Sequence, residues 1–471
     1  MVAPAHAMVL KKIVIPLLLV CLAAGVWALH RPAHPPGEAL HPPASDAVSP
    51  ASAQADASAA DPSAAGHARL DQAITKYTRA TEQNPRDAKA WIDLGNALMQ
   101  KARETADLSY YGHAEAVYRK GLALDARNVP ALIGMAWVTS DRHEFEQSKA
   151  WAGRALALDP GSNDAYGLIG DADQEIGDYD AAYAHYQAML NIRPDLASYS
   201  RGGHLLWLTG NYRQGVWLMV KAIDAGGPYA ETTGWCRAQL GLMLYSEGHQ
   251  VAAEQTLRDA LTTTPHNYRV LMALGRVEAG RRDYADAIDC YQRAVAVVPQ
   301  LEAVAALGDL YALTGHRAEA QSEYGLAGQI DRLQKANGVR GGWQMALFQA
   351  SHDRDLPDAL RAAREEYKTR KNVYAADALA WCLYKNGRCA EAAAMSRAAL
   401  RKNTPEADFL FHAGMIAAKL KNRPAAQSFL NRAIRLNPNF SPTDAPVAIA
   451  ALRQFNPPQA GVRLTAESRG Q

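Results

Sequence analysis

The chain has 471 residues, of which 48% are hydrophobic and 21% charged, so its composition is globular and excludes a disordered, collagen-like or disulfide-dense protein. With 50 Lys and Arg against 48 Asp and Glu, the formal net charge is only +2, which argues against nucleic-acid binding as the main function. A chain of this length would split into several domains unless repeated units built its core by stacking.

The first predicted element is an uncharged apolar segment over residues 13–29, which directly follows two lysines. Its length fits a membrane-spanning anchor and also the apolar core of a secretory signal cleaved after Ala28. In both cases the lysines stay inside and the rest of the chain crosses the membrane. We therefore expect a signal peptide or membrane anchor over residues 1–29, membrane contact through residues 13–29, and a cell-envelope location outside the cytoplasm, either anchored or secreted to the periplasm.

Residues 30–66 form the second predicted element, a flexible stalk. Seven of these 37 residues are Pro and 12 are Ala, so the segment cannot build a hydrophobic core. Such a composition favours extended, semi-rigid chain.

The remainder of the chain shows a regular period. Pro160 and Pro194 lie 34 residues apart, as do Pro265 and Pro299, and each ends a helical stretch rich in Ala. A small residue recurs with nearly the same period in the helix before each turn: Ala114, Ser148, Ala182, Gly215, Ala253, Ala287, Ala320, Ala359, Ala392 and Ala426. Small side chains let neighbouring helices approach closely, and a proline cannot continue a helix, so the pattern predicts stacked helical hairpins.

These residues resemble the tetratricopeptide repeat, a helix-turn-helix unit of about 34 residues. The clearest unit carries the pattern at Tyr166, Ile169, Gly170, Gly177, Tyr179, Ala182, Tyr186 and Pro194. The resemblance implies an all-α, right-handed superhelical solenoid of about ten repeats. We place this solenoid over residues 67–456, with a poorly matching segment at 337–371 where a break or bend is expected, and a flexible tail over 457–471.

The sequence contains no motif typical of catalysis. It has no Gly-Lys-Ser/Thr phosphate loop, no GxSxG elbow and no paired CxxC. Ser351, His352 and Asp353 are the residue types of a catalytic triad, but sequence neighbours point in different directions, and a turn cluster is the better interpretation. Cys382 and Cys389 flank a turn that a disulfide could bridge, with apolar filling as the alternative. We predict a protein that is not an enzyme and needs no cofactor or metal.

The predicted function lies in the concave groove that the first helices of such repeats line. The resemblance places these residues on that surface: Ile133, Trp137, His204, Trp207, Trp235, Tyr245, Met272, Arg276, Tyr374, Trp381, Tyr384 and Phe411. Exposed aromatic side chains on a rigid concave surface suit the capture of a peptide or helix. The sequence thus predicts a non-catalytic protein–protein interaction scaffold with a protein or peptide partner and no nucleic acid. The alternatives are a small ligand-binding or catalytic site in segment 337–371, and a self-associating architectural protein.

Overall fold

The computed structural model describes residues 62–105, 107–227, 231–339 and 342–455. Over these ranges the chain forms 22 α-helices and no β-strand, which confirms the predicted all-α superhelical repeat fold. No helix within these ranges is long and apolar enough to cross a lipid bilayer. The predicted signal or anchor (1–29), the predicted stalk up to residue 61 and the tail (457–471) lie outside the described residues. Residues 62–66, which were also predicted as stalk, belong instead to the first helix.

The helices follow one another with short connections. Their bounds are α1 (Pro62–Gln83), α2 (Ala88–Thr105), α3 (Ser109–Leu124), α4 (Val129–Asp141), α5 (Phe145–Leu158), α6 (Asn163–Ile176), α7 (Tyr179–Ile192), α8 (Leu196–Leu208), α9 (Tyr212–Ala225), α10 (Glu231–Ser246), α11 (Gln250–Thr263), α12 (Tyr268–Arg281), α13 (Tyr284–Val297), α14 (Leu301–Leu313), α15 (Arg317–Ala336), α16 (Trp343–Ser351), α17 (Leu356–Thr369), α18 (Val373–Lys385), α19 (Cys389–Ala399), α20 (Ala407–Lys419), α21 (Arg423–Leu436) and α22 (Asp444–Phe455).

Ten helical hairpins make up the array, from α2 with α3 to α20 with α21. α1 packs on α2 and α22 packs on α21, so a single helix covers each end of the array. The periodic prolines set the ends of second helices. α5 ends at Leu158, two residues before Pro160, and α7 ends at Ile192, two residues before Pro194. The residue before a proline is disfavoured in helical conformation, so the chain turns there toward the next first helix.

First and second helices differ in burial. α12, a first helix, buries ten of its 14 residues, whereas its partner α13 buries only four of 14. A helix buried on most of its faces lies in an inner layer, and a helix buried on one face lies in an outer layer. We use "inner wall" for the surface formed by the first helices α2, α4, α6, α8, α10, α12, α14, α16, α18 and α20.

Glycines provide the close approach that the packing needs. Tyr118 of α3 is fully buried between Gly95 of α2 and Gly134 of α4. A Cβ atom built on Gly95 would lie 2.5 Å from the Tyr118 ring, and one built on Gly134 would lie 2.3 Å from it. One aromatic side chain therefore fills the space between three consecutive helices because two of them carry no side chain there.

The segment 337–371, where a break was expected, continues the array as a hairpin with a short first helix. α16 has nine residues and packs against both α17 and α18. The buried thiol of Cys382 donates to the carbonyl oxygen of Ala346 at 3.4 Å. Cys382 and Cys389 are free thiols, so the structure shows the apolar-filling alternative rather than a disulfide.

The superhelix contacts itself after one turn. Hydrogen bonds join residues that are 192 to 196 positions apart: Val373 N to Tyr179 Oη at 2.9 Å, Thr404 Oγ1 to the Leu208 carbonyl at 2.7 Å, and Asn437 Nδ2 to the Tyr245 carbonyl at 2.8 Å. One superhelical turn therefore takes roughly six repeats of about 34 residues. We call this line of contacts, between residues 175–250 and residues 370–439, the inter-turn seam.

Candidate partner-binding surface

The predicted groove residues do not all have accessible side chains. Trp207, Tyr245, Trp381 and Phe411 are buried, with exposed fractions of 4%, 1%, 6% and 2%. The expectation that these four side chains are exposed in the groove is wrong. They belong to the core of the array.

Neighbouring helices explain this burial. Gly215 of α9 approaches α8 so closely that a Cβ atom there would lie 2.8 Å from the backbone nitrogen of Trp207. The Tyr245 hydroxyl donates to the Asn439 carbonyl across the inter-turn seam, so the next turn covers it. Trp381 stacks on the His412 ring with the centroids 4.1 Å apart.

The other eight predicted residues keep part of their surface accessible: Ile133, Trp137, His204, Trp235, Met272, Arg276, Tyr374 and Tyr384. The Arg103 guanidinium lies 4.1 Å from the Trp137 ring. The rings of His204 and Trp235 are 6.2 Å apart. Burial lowers the pKa of His204, which keeps its imidazole neutral near pH 7. The role of these eight residues in binding a partner stays a prediction.

Arg276 links two distant parts of the inner wall. Its guanidinium, on α12, lies 3.1 Å from Asp408 and 3.8 Å from Glu406, both at the start of α20. These residues are about 130 positions apart, so the first helices of the sixth and tenth hairpins reach each other inside the superhelix. The interior is therefore narrow at this level.

We use "carboxylate cluster" for Glu406, Asp408 and the two carboxylates whose charges act on them, Asp377 and Asp444. The Asp377 carboxylate accepts from His412 Nδ1 at 2.8 Å, and the side chains of this pair are only 4% and 7% exposed. Among the described residues, Oδ1 of Asp377 has no hydrogen-bond partner. In the described part of the chain, Arg276 and His412 are the cations that pair with carboxylates of this cluster.

Burial changes the acidity of three carboxyls in the cluster, those of Glu406, Asp408 and Asp444. Burial raises the pKa of Glu406 to about 7 and that of Asp408 to about 6, although Arg276 opposes both shifts. Burial also raises the pKa of Asp444. Although burial works against protonation of His412, the Asp377 carboxylate raises the pKa of that imidazole. The protein's own cations do not fully stabilise the ionised cluster.

An aromatic strip lies beside the carboxylate cluster. Trp343 stacks on Tyr374 with ring centroids 5.4 Å apart, and Tyr374 meets the edge of Phe409 at 5.3 Å. The Tyr374 hydroxyl donates to Oε1 of Glu406 at 3.4 Å, which ties the strip to the cluster. Trp343 and Tyr374 are partly exposed.

Three residues of this surface, Trp343, Glu406 and Asp408, were not predicted from the sequence. Trp343 lies in the segment whose fit to the repeat is poorest, so no repeat position pointed to it. Asp408 could have been found, because it precedes the predicted groove residue Phe411 by three positions and so shares its face of α20.

Segment 337–371 contributes one compact polar group. His352 Nε2 lies 2.6 Å from Asp309 Oδ1, and the Tyr324 hydroxyl donates to the same oxygen at 2.7 Å. Asp353 instead pairs with Lys385 at 2.7 Å. The neighbours of His352 in sequence are therefore not its partners in space, which agrees with a turn cluster rather than a triad. No group of three or more metal-ligating side chains occurs in the part of the chain that the structure describes.

Comparison with known proteins identifies the repeats. A family profile described as "Tetratricopeptide repeat" matches residues 62–111, 244–302, 272–333 and 378–439, and a second profile with the same description matches residues 164–196. The Arabidopsis thaliana "Protein CTR9 homolog" is 26% identical over 194 residues, which are 40% of this chain. The matched part spans only 17% of the length of that curated relative.

Two solved structures align with this chain at low sequence identity. A tetratricopeptide repeat protein from Parabacteroides merdae is 16% identical with a TM-score of 0.41, and the match covers 52% of this chain and 93% of that one. The structure described as "APC/C hetero-tetramer Cut9-Hcn1" is 13% identical with a TM-score of 0.42, and the match covers 84% of this chain and 92% of that one.

Proposed function

Since the chain belongs to the tetratricopeptide repeat family and is a protein-interaction scaffold, we propose that it binds an extended or helical segment of a partner protein along its inner wall and catalyses no reaction. One observation carries the proposal. Trp137, Trp235, Trp343 and Tyr374 all lie on first helices and keep part of their surface accessible. Rigid aromatic side chains bury a large area on binding and lose little conformational entropy.

The packing of the array supports this use of the inner wall. The first helices are buried on most faces, so their backbones hold the aromatic side chains in fixed positions. Preorganisation of this kind lowers the entropic cost of binding. The second helices bury one face, which packs against the inner layer and supports it.

We further propose that the scaffold acts in the cell envelope, outside the cytoplasm, as an anchored or secreted protein. The support is the uncharged segment 13–29 after two lysines, followed by the Pro- and Ala-rich stretch. Mass measurement of the mature amino terminus, with protease accessibility in intact cells, tests this part. A chain that stays within the cytoplasm would contradict it.

The binding proposal is tested by capture from cell extracts with the full chain as bait. The double variant Trp235→Ala, Tyr374→Ala is expected to capture fewer of the proteins that the natural chain enriches. Its helix content, measured by circular dichroism, should stay the same. Trp151→Ala is the matched control, because Trp151 lies on the outer helix α5, where Arg154 covers its ring at 4.5 Å. An unchanged set of captured proteins in the double variant would contradict binding on the inner wall.

A further inference from the structure

The carboxylate cluster has more negative charge than its surroundings balance. Among the described residues, the cations that form ion pairs with this cluster are Arg276 and His412. His412 pairs with Asp377, which leaves Arg276 to serve both Glu406 and Asp408. Asp408 remains accessible, with 31% of its side chain exposed, whereas Glu406 beside it is largely buried, with 10% exposed. A partner that brings a positive charge to this place would therefore gain electrostatic energy.

A second observation is independent of the charge balance. The side chain of Asp377 is only 4% exposed, yet among the described residues no donor forms a hydrogen bond with its Oδ1 atom. Nε1 of the buried Trp381, one turn further along α18, likewise has no hydrogen-bond partner in the described part of the chain. A buried polar atom without a partner costs free energy, and a ligand that supplies the missing hydrogen bond removes that cost. The Oδ1 atom of Asp377 therefore lacks a hydrogen-bond donor.

The aromatic strip adds apolar surface beside the carboxylate cluster. Trp343 and Tyr374 lie parallel, 5.4 Å apart, and the Tyr374 hydroxyl reaches Glu406. A basic side chain has an apolar stem that packs along aromatic rings and a cationic end that donates to carboxylates. Aromatic surface directly beside unbalanced carboxylates matches that chemistry.

We propose that the inner wall at α16, α18 and α20 binds a lysine or arginine side chain of the partner segment, with its stem on Trp343 and Tyr374 and its cation at Glu406 and Asp408. This proposal rests on the proposed function, because it names the chemistry of the partner that the inner wall takes. The partner segment is basic and carries apolar residues next to its cation. An acidic segment would meet like charge and is disfavoured.

The test uses two labelled peptides with the full chain. One peptide repeats Gly-Lys-Phe-Ala three times, and the matched peptide has Glu in place of each Lys. Fluorescence anisotropy is expected to show that the Lys peptide binds about tenfold more tightly than the Glu peptide, and that added salt weakens its binding. Glu406→Gln and Asp408→Asn are each expected to weaken binding of the Lys peptide by about tenfold, since each removes a charge-assisted contact.

A matched control separates this site from general surface charge. Glu365→Gln removes a carboxylate from the outer helix α17, where Glu365 is 65% exposed and pairs with Lys368 at 2.6 Å, so its effect on peptide binding should be negligible. Circular dichroism of each variant checks that the array remains folded. If both peptides bind equally well, the charge preference is wrong while peptide binding stands. If the Lys peptide binds but ignores Glu406→Gln and Asp408→Asn, or if neither peptide binds, the proposed site is wrong.

Discussion

Nε of Arg370 donates to Oε2 of Glu175 at 2.5 Å, although 195 positions separate the two residues. Asn372 donates to the same carboxylate oxygen at 2.8 Å. Arg370 is 11% exposed in this pair and Glu175 is 24% exposed, so the contact is shielded from water and salt. The neighbouring guanidinium also lowers the pKa of Glu175, even though burial alone would raise it. This ion pair joins the first superhelical turn to the second.

Arg370→Ala should therefore open the inter-turn seam locally. The Arg370 guanidinium also lies 3.3 Å from the Glu366 carboxylate. The substitution therefore removes the cation that both Glu175 and Glu366 contact. Loss of one partner from a largely buried ion pair costs about 2–4 kcal/mol of unfolding free energy. Urea denaturation followed by circular dichroism measures the loss. Arg388→Ala is the control, because Arg388 and Glu391 are 44% and 50% exposed and such pairs contribute about 0–1 kcal/mol. Equal losses in the two variants would show that the seam does not stabilise the array.

Alanine substitutions at Gly177 and Gly387 give a second test of the inter-turn seam, because the two glycines have similar backbone conformations. Both residues lie just after a first helix and have positive φ, 86° and 75°, so alanine strains the backbone at either position by about 1–2 kcal/mol. A Cβ atom on Gly177 would also lie 2.4 Å from the carbonyl oxygen of Lys371 in the next turn, whereas one on Gly387 would meet nothing within 4 Å.

Gly177→Ala should consequently destabilise the protein by about 1–3 kcal/mol more than Gly387→Ala, because the backbone of the second turn must move away. Hydrogen exchange should speed up in residues 370–373 for Gly177→Ala only. If exchange there is the same in both variants, the contact between the turns is absent in solution.

The seam also shows what the sequence could not reveal. Helix positions follow from local spacing, so the repeats and the ends of the helices at Pro160 and Pro194 were predictable from residues within one unit. The contact of Glu175 with Arg370 depends on a small rotation between repeats that accumulates over roughly six of them. A pattern within one repeat does not specify this accumulated rotation.

The candidate site shows the same limit. The repeat position predicted Trp207 and Trp235 on the same surface, yet Trp207 is 4% exposed and Trp235 is partly exposed. A position within the repeat specifies the direction of a side chain from its helix. Whether a neighbouring helix covers that side chain depends on the size of residues elsewhere, such as Gly215 beside Trp207.

The raised pKa of Glu406 predicts a specific dependence of stability on pH. Its pKa is about 7 in the folded protein against an ordinary value of 4.5, so the folded state holds this proton more tightly than the unfolded state. The resulting stabilisation is complete below about pH 4.5 and disappears as the pH rises through about 7. Glu406→Gln is neutral at every pH. Its unfolding free energy should match that of the natural protein at pH 4 and exceed it by about 1–3 kcal/mol at pH 8. A variant that is less stable at pH 8 would show that Arg276 compensates the charge of Glu406.

Gly134 and Gly153 test the close packing that builds each repeat. A Cβ atom on Gly134 would lie 2.3 Å from the ring of Tyr118, and that ring cannot retreat because Gly95 bounds its other side. Gly134→Ala should therefore cost about 2–3 kcal/mol through overpacking. Gly153 lies inside the outer helix α5, and a Cβ atom there would meet nothing within 4 Å. Gly153→Ala should instead stabilise the protein by about 0.5–1 kcal/mol, because alanine loses less backbone entropy than glycine on forming a helix. Urea denaturation measures the change in unfolding free energy of both variants. The two changes should have opposite signs if Tyr118 fills the space between α2 and α4. A stabilising effect of Gly134→Ala would contradict that packing.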